Sequence, residues 1–293
     1  MDNRHRGWKQ IIIWSAIIAL LCPFSASGLA SADLQESEVT LDSKVTQSST
    51  VPEEQAVSAG TSSAASATQS RKNSKGLSLS QLLRKYPETI MTKGPRSKII
   101  ALTFDDVPDP RFTPQVLDVL KKYHVKATFF VVGSRAKKHP ELVARMIREG
   151  HVVGNHSYNH PQFVKLTLID FRSEIIRTEN VLQALAGYKP RLIRPPYGDI
   201  SEQQLRWAKA RGYKLVNWNV DSLDWRGLSK AQVRNNILSH AGKGSIILQH
   251  GGGGRGSNLR GTIQALPEVI TIMRKRGYTF VTVPQMLQVS KNK

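Results

Sequence analysis

Residues 98–110 read KIIALTFDDVPDP, and the fold turns on how this stretch is read. Lys98–Phe104 is an apolar, β-branched run, the pattern of a strand covered on both faces. It ends in two adjacent carboxylates, Asp105 and Asp106, followed by a proline-broken loop. Neighbouring anions repel, and both lose hydration when buried. A pair at a strand end is therefore either a cap or turn, or two acids with two separate tasks.

Working outward, similar runs recur at Ala127–Val132, His151–Gly154, Arg191–Ile193, Lys214–Val220, Ser245–Gln249 and Thr279–Val283. Amphipathic stretches lie between most of them: Thr113–Tyr123 with Val116, Leu117 and Leu120, Pro140–Glu149 with Leu142, Val143 and Met146, and Phe171–Leu185. The segments REG (148–150), ARG (210–212) and KRG (275–277) place a base and then glycine where helices should end. About seven strands alternating with helices predict an α/β fold with a parallel sheet, open or barrel-like. Stretches without helical period near 156–168 and 221–228 predict an irregular barrel. Residues 98–290 form the expected single catalytic domain, with 76–97 as a segment leading into it.

The N-terminus reads differently. Arg4, Arg6 and Lys9 precede the apolar run Ile11–Leu21 and an Ala30-Ser31-Ala32 pattern. Residues 1–32 thus read as a secretory signal peptide, with an uncleaved membrane anchor as the alternative. The single cysteine, Cys22, lies inside this segment, so a processed chain holds no disulfide. Residues 33–75, rich in Ser, Thr and Ala without apolar period, read as a flexible linker. Residues 71–293 carry 38 Lys and Arg against 15 Asp and Glu. That balance predicts attraction to anionic cell-wall polymers. No helix-turn-helix, zinc-finger or aromatic-interleaved basic stretch argues for nucleic acid.

Polar residues collect at the carboxyl ends of the predicted strands: Asp105 and Asp106 after the first, His156 after the third, Arg194 after the fourth, Asp221 after the fifth and His250 after the sixth. In parallel α/β folds that rim is where sites form. HSYNH (156–160) sets two imidazoles four residues apart, which puts both on one side of a helix or tight turn. With Asp106 they make a two-histidine, one-carboxylate set that leaves positions open on a divalent metal. Zinc suits it best, and cobalt, iron or nickel accept the same donors. Asp105, beside a ligand yet free, then suits a general base, and His250 suits the acid for the leaving group. RPPYG (194–198) offers Arg194 to pair with Asp105, and Tyr197 as the first backbone N–H after two prolines, suited to an oxyanion. DSLDW (221–225) offers Asp224 to orient His250, and Trp225 as an apolar wall or stacking face. Taken singly, a proline turn and a capped loop around a core Trp explain these two segments as well.

In this order TFDD, HSYNH, RPPYG, DSLDW and LQH resemble the five motifs of the NodB-type polysaccharide deacetylases, carbohydrate esterase family four. The resemblance runs from about Lys98 to Leu287. It implies a distorted, incomplete (β/α) barrel and metal-dependent removal of acetyl groups from a glycan. It assigns Asp105, Arg194, Tyr197, Asp224 and His250 to catalysis and Asp106, His156 and His160 to the metal. Trp225 and Leu248 are implied to line the acetyl pocket. A secreted, basic chain makes peptidoglycan the expected substrate, with N-acetylglucosamine or N-acetylmuramic acid as the unit. Chitooligosaccharides, an exopolysaccharide and O-acetyl xylan are the alternatives, and an inactive glycan-binding protein is the non-enzyme reading. One position departs from the family: Val107 stands where it usually has glycine. A positive φ there would strain a β-branched residue, while a purely spatial requirement would let Val107 narrow the mouth. Gly251–Gly254 reads either as a mobile rim or as a turn.

Overall fold

A computed structural model describes residues 76–293; the expected signal peptide, the linker and Cys22 lie outside the described residues. Nine strands form the sheet: β1 (Ile90–Met91), β2 (Ile99–Val107), β3 (Thr128–Val131), β4 (Val152–Asn155), β5 (Leu192–Ile193), β6 (Lys214–Val216), β7 (Val220–Asp221), β8 (Ser245–His250) and β9 (Thr279–Phe280). The helices are α1 (Leu79–Lys85), α2 (Thr113–Lys122), α3 (Gly133–Lys138), α4 (Pro140–Arg148), α5 (Leu168–Ala186), α6 (Glu202–Ala210), α7 (Lys230–His240), α8 (Arg260–Lys275) and α9 (Val283–Leu287). Ser201 with Gln204 and Ser229 with Gln232 close capping boxes that start α6 and α7. Gly150, Gly212 and Gly277 are left-handed where the basic-then-glycine segments placed helix ends.

The sheet order is β1-β6-β5-β4-β3-β2-β8-β7, with β9 pairing β2, and the strand pairs are parallel. Two strands exceed the expected seven, each for a local reason. β1 is two residues long and too short to carry a period. The run Lys214–Val220 breaks at residues 217–219 into β6 and β7, which lie near opposite ends of the order. Three residues can join those places only if the sheet curls until its ends approach. β1 and β7 do not pair with each other among the described residues, so the barrel is distorted and incomplete, as expected.

β2 is buried on both faces, and its alternation decides what faces the interior. Ile100, Leu102 and Phe104 pack outward against α2 and α8, joining Val116, Leu117, Leu120, Leu266 and Val269. Ala101 faces inward with Phe130, Leu192, Val216, Ile246, Val283 and Met286. Side chains alternate along a strand, so Thr103 and Asp105 share the inward face with Ala101. Stacking of Phe104 on Phe129, with centroids 5.2 Å apart, ties β2 to β3 under the helices. Burying each ring contributes about 1.5–3 kcal/mol.

Candidate active site

At its carboxyl end β2 departs from regular pairing. Phe104 is level with Phe129 of β3 and Val107 with Val131, so β2 carries one residue more than its partner. That bulge falls at Asp105 and Asp106, and Asp106 takes a left-handed φ of 64°. Strict alternation would send Asp106 outward into the helix layer. Instead both carboxylates line one cavity, and Val107 returns to the outward core. The expectation that Asp105 and Asp106 follow the strand is therefore corrected: both lie within β2, because pairing with β8 continues to Asp105 opposite His250. His250 likewise ends β8 rather than following it.

The cavity, about 580 Å³, is lined by Asp105, Asp106, His156, His160, Tyr197, Trp225, Leu248 and His250. Arg194 and Asp224 stand buried behind it. HSYNH is not helical: Ser157 and His160 have φ of 64° and 62°, and this irregular turn brings the two rings to 4.9 Å. Nδ1 of His156 lies 2.8 Å from the Arg194 carbonyl, an acceptor, so Nδ1 carries the proton and Nε2 faces the cavity with its lone pair. Burial pushes this imidazole down to about 3, so it stays neutral at ordinary pH.

Asp106 Oδ1 lies 3.1 Å from His160 Nε2 and 3.7 Å from His156 Nε2. It is buried and receives no hydrogen bond among the described residues. One donor atom from each of the three residues falls within 4.8 Å of the others. Imidazole nitrogens and a carboxylate oxygen that converge this closely fit a divalent metal.

Asp105 is held by Arg194, whose Nη1 donates to Oδ1 at 2.8 Å. Arg194 also donates to Thr103 and to the carbonyls of Val216 and Asn217, and stacks 4.1 Å over Phe130. Burial pushes the Asp105 carboxyl up, opposed by the guanidinium. His250 Nδ1 is 2.7 Å from Asp224 Oδ1, while Asp224 Oδ2 accepts from the His250 amide and from Thr262. Burial alone would lower the His250 imidazole, but Asp224, helped by Asp105 and Asp106, raises it to about 9. The Tyr197 amide makes no hydrogen bond among the described residues, and its φ is 61°. Trp225 is 56% exposed, which rules out the core-Trp reading of that segment. Such a site can activate water at one end and protonate a leaving group at the other.

The polysaccharide deacetylase family profile matches residues 92–216. Over 201 residues the chain is 48% identical to a peptidoglycan-N-acetylglucosamine deacetylase of Bacillus cereus, covering 68% of this chain and 72% of that one. The chain belongs to the polysaccharide deacetylase family. It is also 39% identical over 202 residues to a peptidoglycan-N-acetylmuramic acid deacetylase of Bacillus subtilis, of whose length it spans 41%. A crystal structure of a peptidoglycan N-acetylglucosamine deacetylase superposes with a TM-score of 0.70 at 45% identity, covering 72% of this chain and 98% of that one.

Within this deacetylase Val107 meets neither sequence expectation. The positive φ belongs to Asp106, and Val107 is fully buried, packed under Gly251 and away from the cavity. Sequence reasoning missed Glu174, which accepts from the amides of Tyr158 and Asn159 and so carries the histidine turn on α5. A buried carboxylate between Phe171, Ile175 and Thr178 on one helix face was the available signal. Asp221 and Trp218 line the cavity as well.

Proposed function

We propose that this chain hydrolyses N-acetyl groups on peptidoglycan sugars, releasing acetate and leaving a free amine. The convergence of a carboxylate, an imidazole and a metal-ligand set on one cavity carries the reading. N-acetylglucosamine is the favoured unit: the relative at 48% identity is named for that sugar, and the one at 39% for N-acetylmuramic acid. Asp106, His156 and His160 would hold the metal, zinc by preference, while cobalt, iron and nickel accept the same donors. When bound, it supplies Lewis-acid polarisation of the acetyl carbonyl and a lowered pKa for water.

Asp105, kept oriented by Arg194, takes the proton of the attacking water. The free Tyr197 N–H donates to the oxygen on which negative charge develops. His250, charged and aligned by Asp224, gives its Nε2 proton to the departing nitrogen. Leu248 and Trp225 wall the acetyl methyl group. The basic N-terminal run and the net charge of +20 support export and residence at the cell wall.

Acetate release from peptidoglycan and from N-acetylglucosamine oligomers tests this with the full chain, with added zinc and with a chelator. Release is expected with zinc, lost on chelation and absent in Asp105→Asn. Release unaffected by chelator or mutation overturns the mechanism; none from either glycan overturns the substrate.

A further inference from the structure

The bulge that turns Asp106 into the site leaves a backbone problem. The neighbouring carbonyls are paired: Asp105 O accepts from the Gly251 amide at 3.0 Å and Val107 O from the Val132 amide at 2.9 Å. The Asp106 carbonyl, on the extra residue, has no ladder partner. Arg135, in the first turn of α3, supplies one: its Nη1 donates to Asp106 O at 3.0 Å. The same guanidinium donates through Nη2 to Gly253 O at 3.0 Å and lies 3.5 Å from the buried Asp109 carboxylate. Gly252 packs against the same carbonyl beside the guanidinium, where an added Cβ would sit 2.1 Å from Asp106 O and 2.9 Å from Arg135 Nη1. Only glycine lets the loop close there. Arg111 holds the outer edge, bonding Asp109 and the carbonyls of Gly253 and Gly254 without touching Asp106.

We infer that Arg135 is a positioning residue for the metal site. It joins Asp106 to the glycine loop, so that the left-handed conformation which aims the carboxylate at His156 and His160 is held from outside the ligand set. The segment 251–254 is thus a clamped rim. The inference rests on Asp106, His156 and His160 being the metal ligands.

Zinc titration calorimetry on the full chain tests it, with thermal unfolding of the chelated protein alongside. Arg135→Met is expected to weaken zinc binding by at least about tenfold, the usual effect of removing a partner that orients a ligand. Arg135→Lys, with one ammonium to reach two carbonyls, should fall between it and the parent. Gly252→Ala, which forces the loop off the Asp106 carbonyl, should weaken zinc like Arg135→Met, while Arg111→Met should leave affinity unchanged. Unchanged zinc affinity in Arg135→Met overturns the inference, as does an equal loss in Arg111→Met. Should Arg135→Met fail to fold, Arg135→Lys and Gly252→Ala decide by the same titration. A parent chain that binds no zinc overturns the metal reading and this inference with it.

Discussion

His250 carries its charge because the Asp224 carboxylate is buried against it, 2.7 Å from its Nδ1. A histidine raised from 6.5 to about 9 by folding adds stability that is complete below the lower value and fades as pH rises through the upper one. If the imidazolium is the acid, kcat/KM of the free enzyme falls above about pH 9. Asp224→Asn removes the carboxylate that raises it. The alkaline limb should move to the ordinary imidazole range or lower, costing roughly thirtyfold at about pH 8; a pH–rate profile checks this. Arg194→Met leaves Asp105 buried without its cation, and urea unfolding should register a loss of about 3–5 kcal/mol. At this scale much of the site was legible. Asp105, Asp106, His156, His160 and His250 are reactive types at strand ends, where spacing betrays them. Arg135 and Glu174 were not, because each acts on backbone groups that only folding brings near.

At the scale of elements, β2 and β4 decide how the site is assembled. β2 read as a strand on its apolar run, but its bulge did not: an extra residue is defined only against β3, which the β2 sequence does not contain. β4 lies against the interior through Gly154, where a Cβ would approach the Phe130 ring to 2.8 Å. Phe130 lies under the Arg194 guanidinium. Gly154→Ala should therefore destabilise by about 1–3 kcal/mol and lower kcat by disturbing the Asp105–Arg194 pair. Urea unfolding with single-turnover kinetics measures both effects. The split of Lys214–Val220 was illegible for a related reason. β7 is only Val220 and Asp221, too short to show a period of its own, and its pairing with β8, against that of β6 with β1 and β5, is what separates the two.

For the whole molecule, a net charge of +20 is a field rather than a contact. Attraction to an anionic wall should be screened as the Debye length shrinks, so co-sedimentation with isolated cell walls should fall between about 0.05 M and 0.5 M salt. Binding that ignores salt would assign the retention to the glycan cavity instead. No described helix is long and apolar enough to cross a membrane. By itself the sequence determined the alternation of strands and helices, the rim on which polar residues gather, and the three residues of the candidate metal site. Those follow from periodicity and residue chemistry, which are local. The tertiary structure alone decided that the sheet curls until β6 and β7 are three residues apart, that Asp106 turns inward with Asp105, and that Val107 is core. Each depends on register between strands distant in sequence, and a one-residue change in register moves a side chain from one face of the sheet to the other.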